Sequence, residues 1–379
     1  VATYSIDSST GLLTAVGAIG GGSGPLHPSI CANGDNFLAS GSTFVAKTGA
    51  ALRCTGTSAD FTGGTLLVGG TDLAFDTAIS LGSAGGTVNT NGNNATISST
   101  VSGSGRLTKA GAGTLTLSGT NTYTGGTEIL AGLLSVNGTI GDVTVTGGKL
   151  GGSGTVGSVV VQSGGTFAPG NSIGTTTVSG DVNFASGSVY EVEVNDGGTT
   201  AGTNNDLISA TGTATLDSGA SVTVLAENGT DNGSSYAAVS TYTILTASGG
   251  ITGTFGSLSE NFAFLDGALS YDTLNVYLTL TRNDTSLTSV AQILNQTKTA
   301  SAIEDLDTGS SLYGAVISQS ASGARAAFDD LSGEIHASLS TVVIEEARFL
   351  RNAAYDRSRA VRAHMGAADL EPGGATAQT

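Results

Sequence analysis

Residues 115–194 run LTLSGTNTYTGGTEILAGLLSVNGTIGDVTVTGGKLGGSGTVGSVVVQSGGTFAPGNSIGTTTVSGDVNFASGSVYEVEV and decide the fold. Apolar residues alternate with polar ones in short runs, such as those at 115–117, 143–145 and 190–194, and Gly, Asn and Asp separate the runs. An alternation with period two is typical of strands that bury one face. This stretch therefore predicts many short strands joined by turns.

The close spacing of these strands favours a parallel β-helix. An open twisted sheet rarely exceeds about ten strands, and a propeller needs a blade repeat of roughly 40 to 50 residues. In a coiled chain, each strand pairs with the equivalent strand one turn later, about 4.8 Å away. Disorder is the alternative for a Gly-rich chain, but regular apolar alternation argues against it. We therefore predict a mainly β fold, a right-handed parallel β-helix followed by C-terminal helices.

The charge of the chain excludes several classes of partner. It has 59 Gly, only 11% charged residues and a formal net charge of −17. Nucleic-acid binding requires clustered Lys and Arg, and docking on anionic lipid also requires positive charge. We therefore expect no nucleic-acid partner, and we expect Thr and Ser to cover much of the outer surface.

Cys31 and Cys54 are the two cysteines of the chain. A disulfide between them, contributing about 3 kcal/mol by limiting the unfolded state, and two separate buried thiols both fit the sequence. Their spacing matches no metal-binding motif, and we expect neither a metal nor a cofactor. Because Val1 is not an initiator Met and no secretion signal follows it, we expect the sequence to begin after processing or inside a longer chain.

Composition and periodicity divide the chain into four expected segments. Residues 1–60 are an irregular N-terminal β segment, and residues 61–283 are the β-helix. After Asp284 the apolar period changes from 2 to 3.6, which predicts an α-helical linker over 284–365 that begins with Thr288 as N-cap and has further helices at about 311–330 and 335–362. Residues 366–379 are expected to be a flexible tail.

Two groups of residues stand out within these segments. Large rings bury more area than Val or Thr, so the aromatic-rich stretch at about 236–283 predicts a well-packed C-terminal cap of the β-helix. The last predicted helix carries a basic face, which suits the C-terminal end of a helix dipole. The cap core is predicted to contain Tyr242, Phe255, Phe262, Phe264 and Tyr277, and the basic face contains Arg348, Arg351, Arg357, Arg359 and Arg362.

Residues 103–127 (GSGRLTKAGAGTLTLSGTNTYTGGT) resemble the passenger-associated repeat of bacterial autotransporters, which use type V secretion. The match is dense over two dozen residues. Residues 167–194 (FAPGNSIGTTTVSGDVNFASGSVYEVEV) resemble the penultimate part of such passengers, and residues 328–339 and 345–362 resemble their helical linker. The resemblance implies a β-helical passenger with a folding-promoting cap, exposed at the bacterial cell surface and reached through the periplasm.

The same resemblance implies partners and reactions. The linker of that family leads into an outer-membrane β-barrel of the same protein, so we expect the barrel as partner, although its strands are not found in this sequence. Host-cell or matrix proteins are further expected partners, since such passengers are often adhesins or virulence factors. Self-cleavage in the linker depends in that family on paired Asn residues, whereas Asn352 stands alone, so this sequence departs from the pattern for that reaction.

The sequence does not display a serine-protease motif. The histidines are His27, His336 and His364. A Ser–His–Asp set needs a nucleophilic Ser in a setting such as G-D-S-G, and the segment at 34–36 is Gly-Asp-Asn. We expect His27 to be a turn or surface residue.

Carbohydrate cleavage of the lyase type needs carboxylates and a base. Asp181, Glu191 and Glu193 are candidate acids, but Glu191 and Glu193 alternate with apolar residues as ordinary exposed residues do. Lys149 and Arg282 are the basic residues of the β region after Lys109. The sequence therefore predicts a non-enzymatic surface scaffold, and the alternative is a glycan-active enzyme or protease whose active loop lies in or upstream of residues 1–60.

Overall fold

The computed structural model describes residues 4–6, 12–15, 38–39, 43–46, 59–70, 73–75, 78–227, 239–283, 285–306, 309–333, 348–349 and 351–362. The first strands are β1 (Tyr4–Ile6), β2 (Leu12–Ala15), β3 (Leu38–Ala39), β4 (Thr43–Ala46), β5 (Ala59–Thr62), β6 (Thr65–Val68), β7 (Leu73–Phe75), β8 (Ile79–Leu81), β9 (Gly86–Asn89), β10 (Ala95–Ile97) and β11 (Val101–Gly103). The next are β12 (Leu107–Ala110), β13 (Thr114–Leu117), β14 (Thr127–Ile129), β15 (Leu133–Val136), β16 (Val143–Val145), β17 (Gly148–Gly151), β18 (Thr155–Val156), β19 (Val159–Val161), β20 (Gly165–Phe167), β21 (Thr175–Val178) and β22 (Val182–Phe184). The last are β23 (Val189–Val194), β24 (Leu207–Ala210), β25 (Ala214–Leu216), β26 (Ser221–Ala226), β27 (Val239–Ala247), β28 (Ile251–Gly253), β29 (Ser257–Glu260), β30 (Leu265–Tyr271) and β31 (Asn275–Arg282).

The described strands form four sheets whose neighbours are strands from successive coils. Sheet 1 has the order β1-β2-β4-β6-β9-β12-β14-β16-β19-β22-β25-β28, sheet 2 β29-β26-β23-β20-β17-β15-β13-β10-β7, sheet 3 β11-β8-β5-β3, and sheet 4 β18-β21-β24-β27-β31-β30. Among the described pairs, β1–β2, β27–β31 and β30–β31 are antiparallel and the others are parallel. The chain thus visits the sheets in turn and stacks coil on coil, and the predicted parallel β-helix is confirmed.

Parallel pairing includes strands that precede residue 61. β2 pairs with β4, β4 pairs with β6, and β3 pairs with β5. The N-terminal segment therefore contributes strands to the same sheets, while the segment boundaries drawn from the sequence stay a prediction.

Inward side chains stack in ladders of like residues. On sheet 2, Leu115, Leu134 and Leu150 occupy the same position on successive coils, and Phe167 and Tyr190 continue the ladder. All five are 0% exposed. Each coil buries its apolar face on the next one, so burial and strand pairing extend together along the solenoid.

Lys109 interrupts one of these ladders. It lies between Val88 and Ile129 on sheet 1 and is fully buried. Burial lowers the pKa of Lys109 to about 8. The Nζ atom donates to the carbonyl oxygens of Ala110, Gly111 and Ala131, at 3.1, 2.7 and 2.8 Å. Lys109 therefore ties together the corners of two successive coils.

Aromatic rings replace the aliphatic ladder in the later coils. The ring of Phe184 lies 6.3 Å from Phe167, 5.6 Å from Tyr190 and 5.2 Å from Phe255, measured between centroids. Such pairs are worth about 0.5–1.5 kcal/mol beyond the area they bury. Three members of this cluster, Phe167, Phe184 and Tyr190, precede the stretch in which the sequence placed the cap.

Residues 306–321 belong to the same compact unit as the β-helix. They contain helix α2 (Ser311–Ile317), whose Tyr313 and Ile317 are buried. The guanidinium of Arg282 lies 4.8 Å above the Tyr313 ring, and the carbonyl oxygen of Gln319 accepts a hydrogen bond of 2.9 Å from the amide of Ala263. This short helix therefore packs against the end of the β-helix formed by the last strands.

The second unit comprises residues 286–305 and 322–379. Its described elements include a 3₁₀ turn (Leu287–Val290), helix α1 (Leu294–Glu304) and helix α3 (Ala321–Leu331). Within the unit, Gln296 donates to both carboxylate oxygens of Asp329 at 2.9 and 3.0 Å.

The helical part differs in detail from the sequence prediction. Thr288 is not an N-cap, because it lies inside the 3₁₀ turn and helix α1 starts only at Leu294. The single helix predicted over 311–330 is divided into α2 and α3 at residues 318–320. Residues 351–362 are helical and exposed. Within the described chain, no helix combines the length and the apolar character that crossing a membrane requires.

Candidate functional site

A groove runs along the outer face of sheet 2, with a cavity volume of about 350 Å³. Its floor is made by outward residues of β13, β15, β17 and β23, and a segment that follows β20 forms one wall. The lining residues are Thr114, Thr116, Leu133, Ser135, Lys149, Gly151, Ala168, Pro169, Gly170, Asn171, Ser172, Glu191, Glu193 and Asp206. We call this site the outer groove.

Strand alternation places the charged residues on the outside. Glu191 and Glu193 are partly exposed, whereas Val192 and Val194 beside them are 0% exposed in the core. In β17, Lys149 is partly exposed and Leu150 is buried. The sequence interpretation of Glu191 and Glu193 as outward residues is therefore consistent with the structure.

Lys149 and Glu191 form an ion pair although 42 residues separate them. Lys149 Nζ lies 2.5 Å from Glu191 Oε1, and the two side chains keep 36% and 21% of their exposure. The pair reaches across β20, because β17 and β23 are both neighbours of that strand. Coil stacking thus brings together two residues that the sequence analysis treated separately.

The segment 168–174, which we call the groove loop, connects β20 to β21. Gly152 and Gly170 exchange backbone hydrogen bonds of 2.7 and 3.1 Å. Asn171 accepts a hydrogen bond from Ser135 Oγ at 2.7 Å, and Ser172 Oγ donates to Glu193 Oε2 at 3.0 Å. Gly170 has φ +82°, a backbone conformation that residues with a side chain rarely adopt. The loop is therefore fixed to the sheet at several points.

Asp206 anchors the far end of the groove loop. It is 1% exposed, and its carboxylate accepts backbone hydrogen bonds from Gly174 at 2.9 Å and from Glu193 at 2.8 Å. Burial is the main reason that the pKa of Asp206 is raised to about 8, although these two hydrogen bonds act in the opposite direction. Asp206 was not singled out from the sequence, since no local motif surrounds it.

A second cavity of about 450 Å³ lies at a corner of the coil. Arg106 and Asp142 are among its lining residues, and Arg106 forms an ion pair of 2.9 Å with Glu128. Tyr123 is buried, and its hydroxyl lies 2.5 Å from that of Thr127. Most of this lining is glycine and threonine.

The other sequence candidates lie elsewhere or outside the described residues. Asp181 is exposed and is not among the groove residues, and the backbone amide of Thr213 donates to it at 2.7 Å and lowers its pKa. Cys31, Cys54, His27, His336 and His364 all lie outside the described residues. The basic residues Arg348, Arg351, Arg357, Arg359 and Arg362 are exposed.

The predicted cap residues have different environments. Tyr242, Phe255, Phe262 and Phe264 are at most 7% exposed, whereas Tyr277 donates its hydroxyl to Asp272 at 2.7 Å in an exposed hydrogen bond. The Tyr242 hydroxyl donates to the carbonyl oxygen of Asn195 at 3.1 Å.

The described part of the chain offers binding groups but no histidine and no group of three or more His, Cys, Asp or Glu side chains placed to hold a metal ion. A Ser–His–Asp set therefore cannot be built from the described residues alone. What these residues do provide is the outer groove, with one ammonium, two partly exposed carboxylates and several hydroxyl groups.

Comparison with known proteins places the chain among secreted bacterial proteins. Residues 107–136 match the family model of the passenger-associated-transport-repeat. The chain is similar to an extracellular serine protease of Serratia marcescens, with 33% identity over 322 residues, which covers 72% of this chain and 30% of that protein. A second match, also named extracellular serine protease and from the same organism, has 29% identity over 172 residues and covers 34% of this chain and 16% of the relative.

These relatives overturn the prediction that the protein is not an enzyme. That prediction was wrong because it inferred the absence of an activity from a missing motif. The chain spans less than a third of the relatives' length, so catalytic residues missing from this sequence are no argument about the whole protein. The repeat family and the extracellular relatives also indicate a secreted or surface-exposed protein.

The repeat match coincides with β12, β13, β14 and β15, the strands around the Lys109 corner. The stacked parallel coils on both sides of it agree with the fold that the resemblance implied. The chain is a passenger segment of a bacterial autotransporter.

Proposed function

We propose that this chain is part of a secreted serine protease, and that its β-helix is the stem on which the proteolytic part is carried. The observation that supports this most strongly is the 33% identity to an extracellular serine protease over 72% of the chain. The similarity extends over most of the sequence and is therefore not limited to the repeat.

The described residues suit a stem. Each coil provides strand edges for hydrogen bonding and an apolar surface for packing to the next coil. Added coils therefore lengthen the solenoid, while the width of its core stays the same. The catalytic serine, its base and the substrate cleft then belong to the rest of the protein. Passage through the periplasm to the cell surface is part of the same proposal.

The test uses the full-length protein that contains this chain, secreted from a bacterial host. We expect the secreted protein to react with a fluorophosphonate probe, which labels activated serine nucleophiles, and to cleave casein in a reaction that the probe abolishes. A folded, secreted protein that is not labelled and does not cleave casein would disprove the proposal.

The 379-residue chain serves as the matched control. We expect it to fold, as judged by circular dichroism, and to remain unlabelled. If it were labelled, the variant His27→Ala would show whether the base lies in residues 1–60, the alternative location that the sequence predicts for an active loop.

A further inference from the structure

The outer groove has the length of an extended ligand. It reaches from Thr114 and Thr116 on β13 to Glu191 and Glu193 on β23, which is four strand spacings along sheet 2. At about 4.8 Å per spacing this is roughly 19 Å. A chain-like ligand lying along the solenoid axis fits this shape better than a compact one.

The position of the groove on the face of a sheet favours a glycan over a peptide. An extended peptide that binds by strand addition pairs its backbone groups with an open strand edge, whereas β13, β15, β17, β20 and β23 are all interior strands of sheet 2. The floor of the groove therefore presents side chains and not a free strand edge to a ligand. The hydroxyls of Thr114 and Thr116 make no hydrogen bond with the described residues, and Leu133, Ala168 and Pro169 offer an apolar strip for the C–H faces of sugar rings.

The charge of the groove selects among glycans. Lys149 is neutralised by Glu191, so Glu193 leaves the groove with net negative charge. Among the described residues, Glu191 Oε2 and Glu193 Oε1 accept no hydrogen bond, because Lys149 contacts Oε1 of the former and Ser172 contacts Oε2 of the latter. The net negative charge left by Glu193 repels uronic acids, and the two free carboxylate oxygens can accept charge-assisted hydrogen bonds from ammonium groups.

We propose that the outer groove binds an extended glycan whose sugars carry free amino groups, such as an oligomer of glucosamine. This site is separate from the proteolytic activity proposed above, and neither depends on the other. It gives the stem a binding role of its own.

The test is isothermal titration calorimetry of the 379-residue chain with a glucosamine hexamer at a pH at which the amines are protonated. We expect saturable binding of one hexamer, weaker binding of the N-acetylglucosamine hexamer and no binding of a galacturonate hexamer. The variant Glu193→Gln keeps an oxygen for Ser172 but removes the charge, and we expect it to weaken binding about tenfold or more, as for loss of a hydrogen bond to a charged group.

Glu260→Gln is the matched control, because it makes the same change of net charge at a residue outside the groove. We expect it to bind as the unaltered chain does, and circular dichroism verifies that both variants are folded. Equal weakening by the two variants would show a nonspecific attraction between an acidic protein and a cation and would overturn the proposal. Absence of saturable binding, or equally tight binding of the galacturonate hexamer, would overturn it too.

Discussion

The earlier coils at residues 107–161 and the later coils at residues 167–282 have the same coiled backbone but different core side chains. The earlier coils stack Leu, Ile and Val inside and tie their corner with the buried Lys109. The later coils stack aromatic rings around Phe184 and anchor the groove loop through the buried Asp206. Each region therefore contains a buried amine or carboxyl group, Lys109 or Asp206, that is bonded to backbone groups.

The difference shows which features the coil requires. The interior accepts residues as different as Val145 and Phe184 on one ladder of sheet 1, so it does not require one particular side chain. At the corners, some backbone N–H and C=O groups are not paired within a sheet. They require other hydrogen-bond partners, because a buried backbone group without a partner lowers stability. The family repeat at residues 107–136 contains both kinds of residue, the corner residue Lys109 and buried apolar residues such as Leu115 and Leu134.

The largest expected effect comes from the aromatic cluster. Phe184→Ala removes the ring that contacts Phe167, Tyr190 and Phe255. We expect it to lower the free energy of unfolding by about 3–5 kcal/mol, as for other buried Phe residues. Urea denaturation followed by circular dichroism measures this loss.

Val145→Ala is the control in the earlier coils. Val145 is 0% exposed and occupies the same ladder, and the substitution removes two carbon atoms, worth about 1.5 kcal/mol of burial. If both variants lost the same stability, the aromatic rings would add nothing to the later coils and the comparison would fail.

The sequence predicted the coil better than the site, for a physical reason. Alternation is local, so the runs at 115–117, 143–145 and 190–194 could be recognised as strands with one inward face before their partners were known. The contact between Lys149 and Glu191 depends on how many residues each coil contains. Because the glycine-rich turns vary in length, the sequence does not show which residues of different coils lie side by side. The break between α2 and α3 was missed because apolar spacing continues across it, whereas tertiary packing places α2 with the β unit.

A smaller effect is expected at the anchor of the groove loop. In Asp206→Asn, the side-chain nitrogen cannot accept a hydrogen bond, so the amide of Gly174 or of Glu193 loses its acceptor. We expect a loss of about 1–3 kcal/mol at pH 5. The exposed Asp181→Asn serves as control. Asp181 accepts from Thr213 through Oδ1 alone, so the Asn side chain keeps an acceptor oxygen there, and we expect a smaller loss of stability.

The pH dependence of this loss has a defined sign. The pKa of Asp206 is raised from an ordinary value near 4 to about 8 in the folded chain, so its contribution to stability is complete below about pH 4 and is lost as the pH rises to 8. The difference in unfolding free energy between the unaltered chain and Asp206→Asn should therefore shrink from pH 5 to pH 9. A difference that grew over this range would contradict the assignment of the raised pKa to Asp206.

The corner lysine should give a smaller effect of opposite pH dependence. Lys109→Met leaves three carbonyl oxygens without their donor but also removes a buried charge, so we expect a net loss of only about 1 kcal/mol at pH 7. Burial lowers the pKa of Lys109 to about 8, and the unfolded chain therefore holds the proton more tightly between pH 8 and about 10.5. The unaltered chain should gain stability relative to Lys109→Met over this range, which chemical denaturation at several pH values measures.

The smallest effect is expected at the ion pair of the outer groove. Glu191→Gln removes the charge opposite Lys149, but both side chains remain partly exposed, and such pairs contribute about 0.2–1 kcal/mol. We expect the small loss in stability to disappear in 1 M NaCl, where charges are screened within about 3 Å. A loss above about 2 kcal/mol that persisted in high salt would mean that the ion pair holds the coils together. Lys149 and Glu191 would then stabilise the fold, as Lys109 does at its corner. The distinction between a corner that stabilises the coils and a groove whose charged groups are available to a ligand would no longer hold.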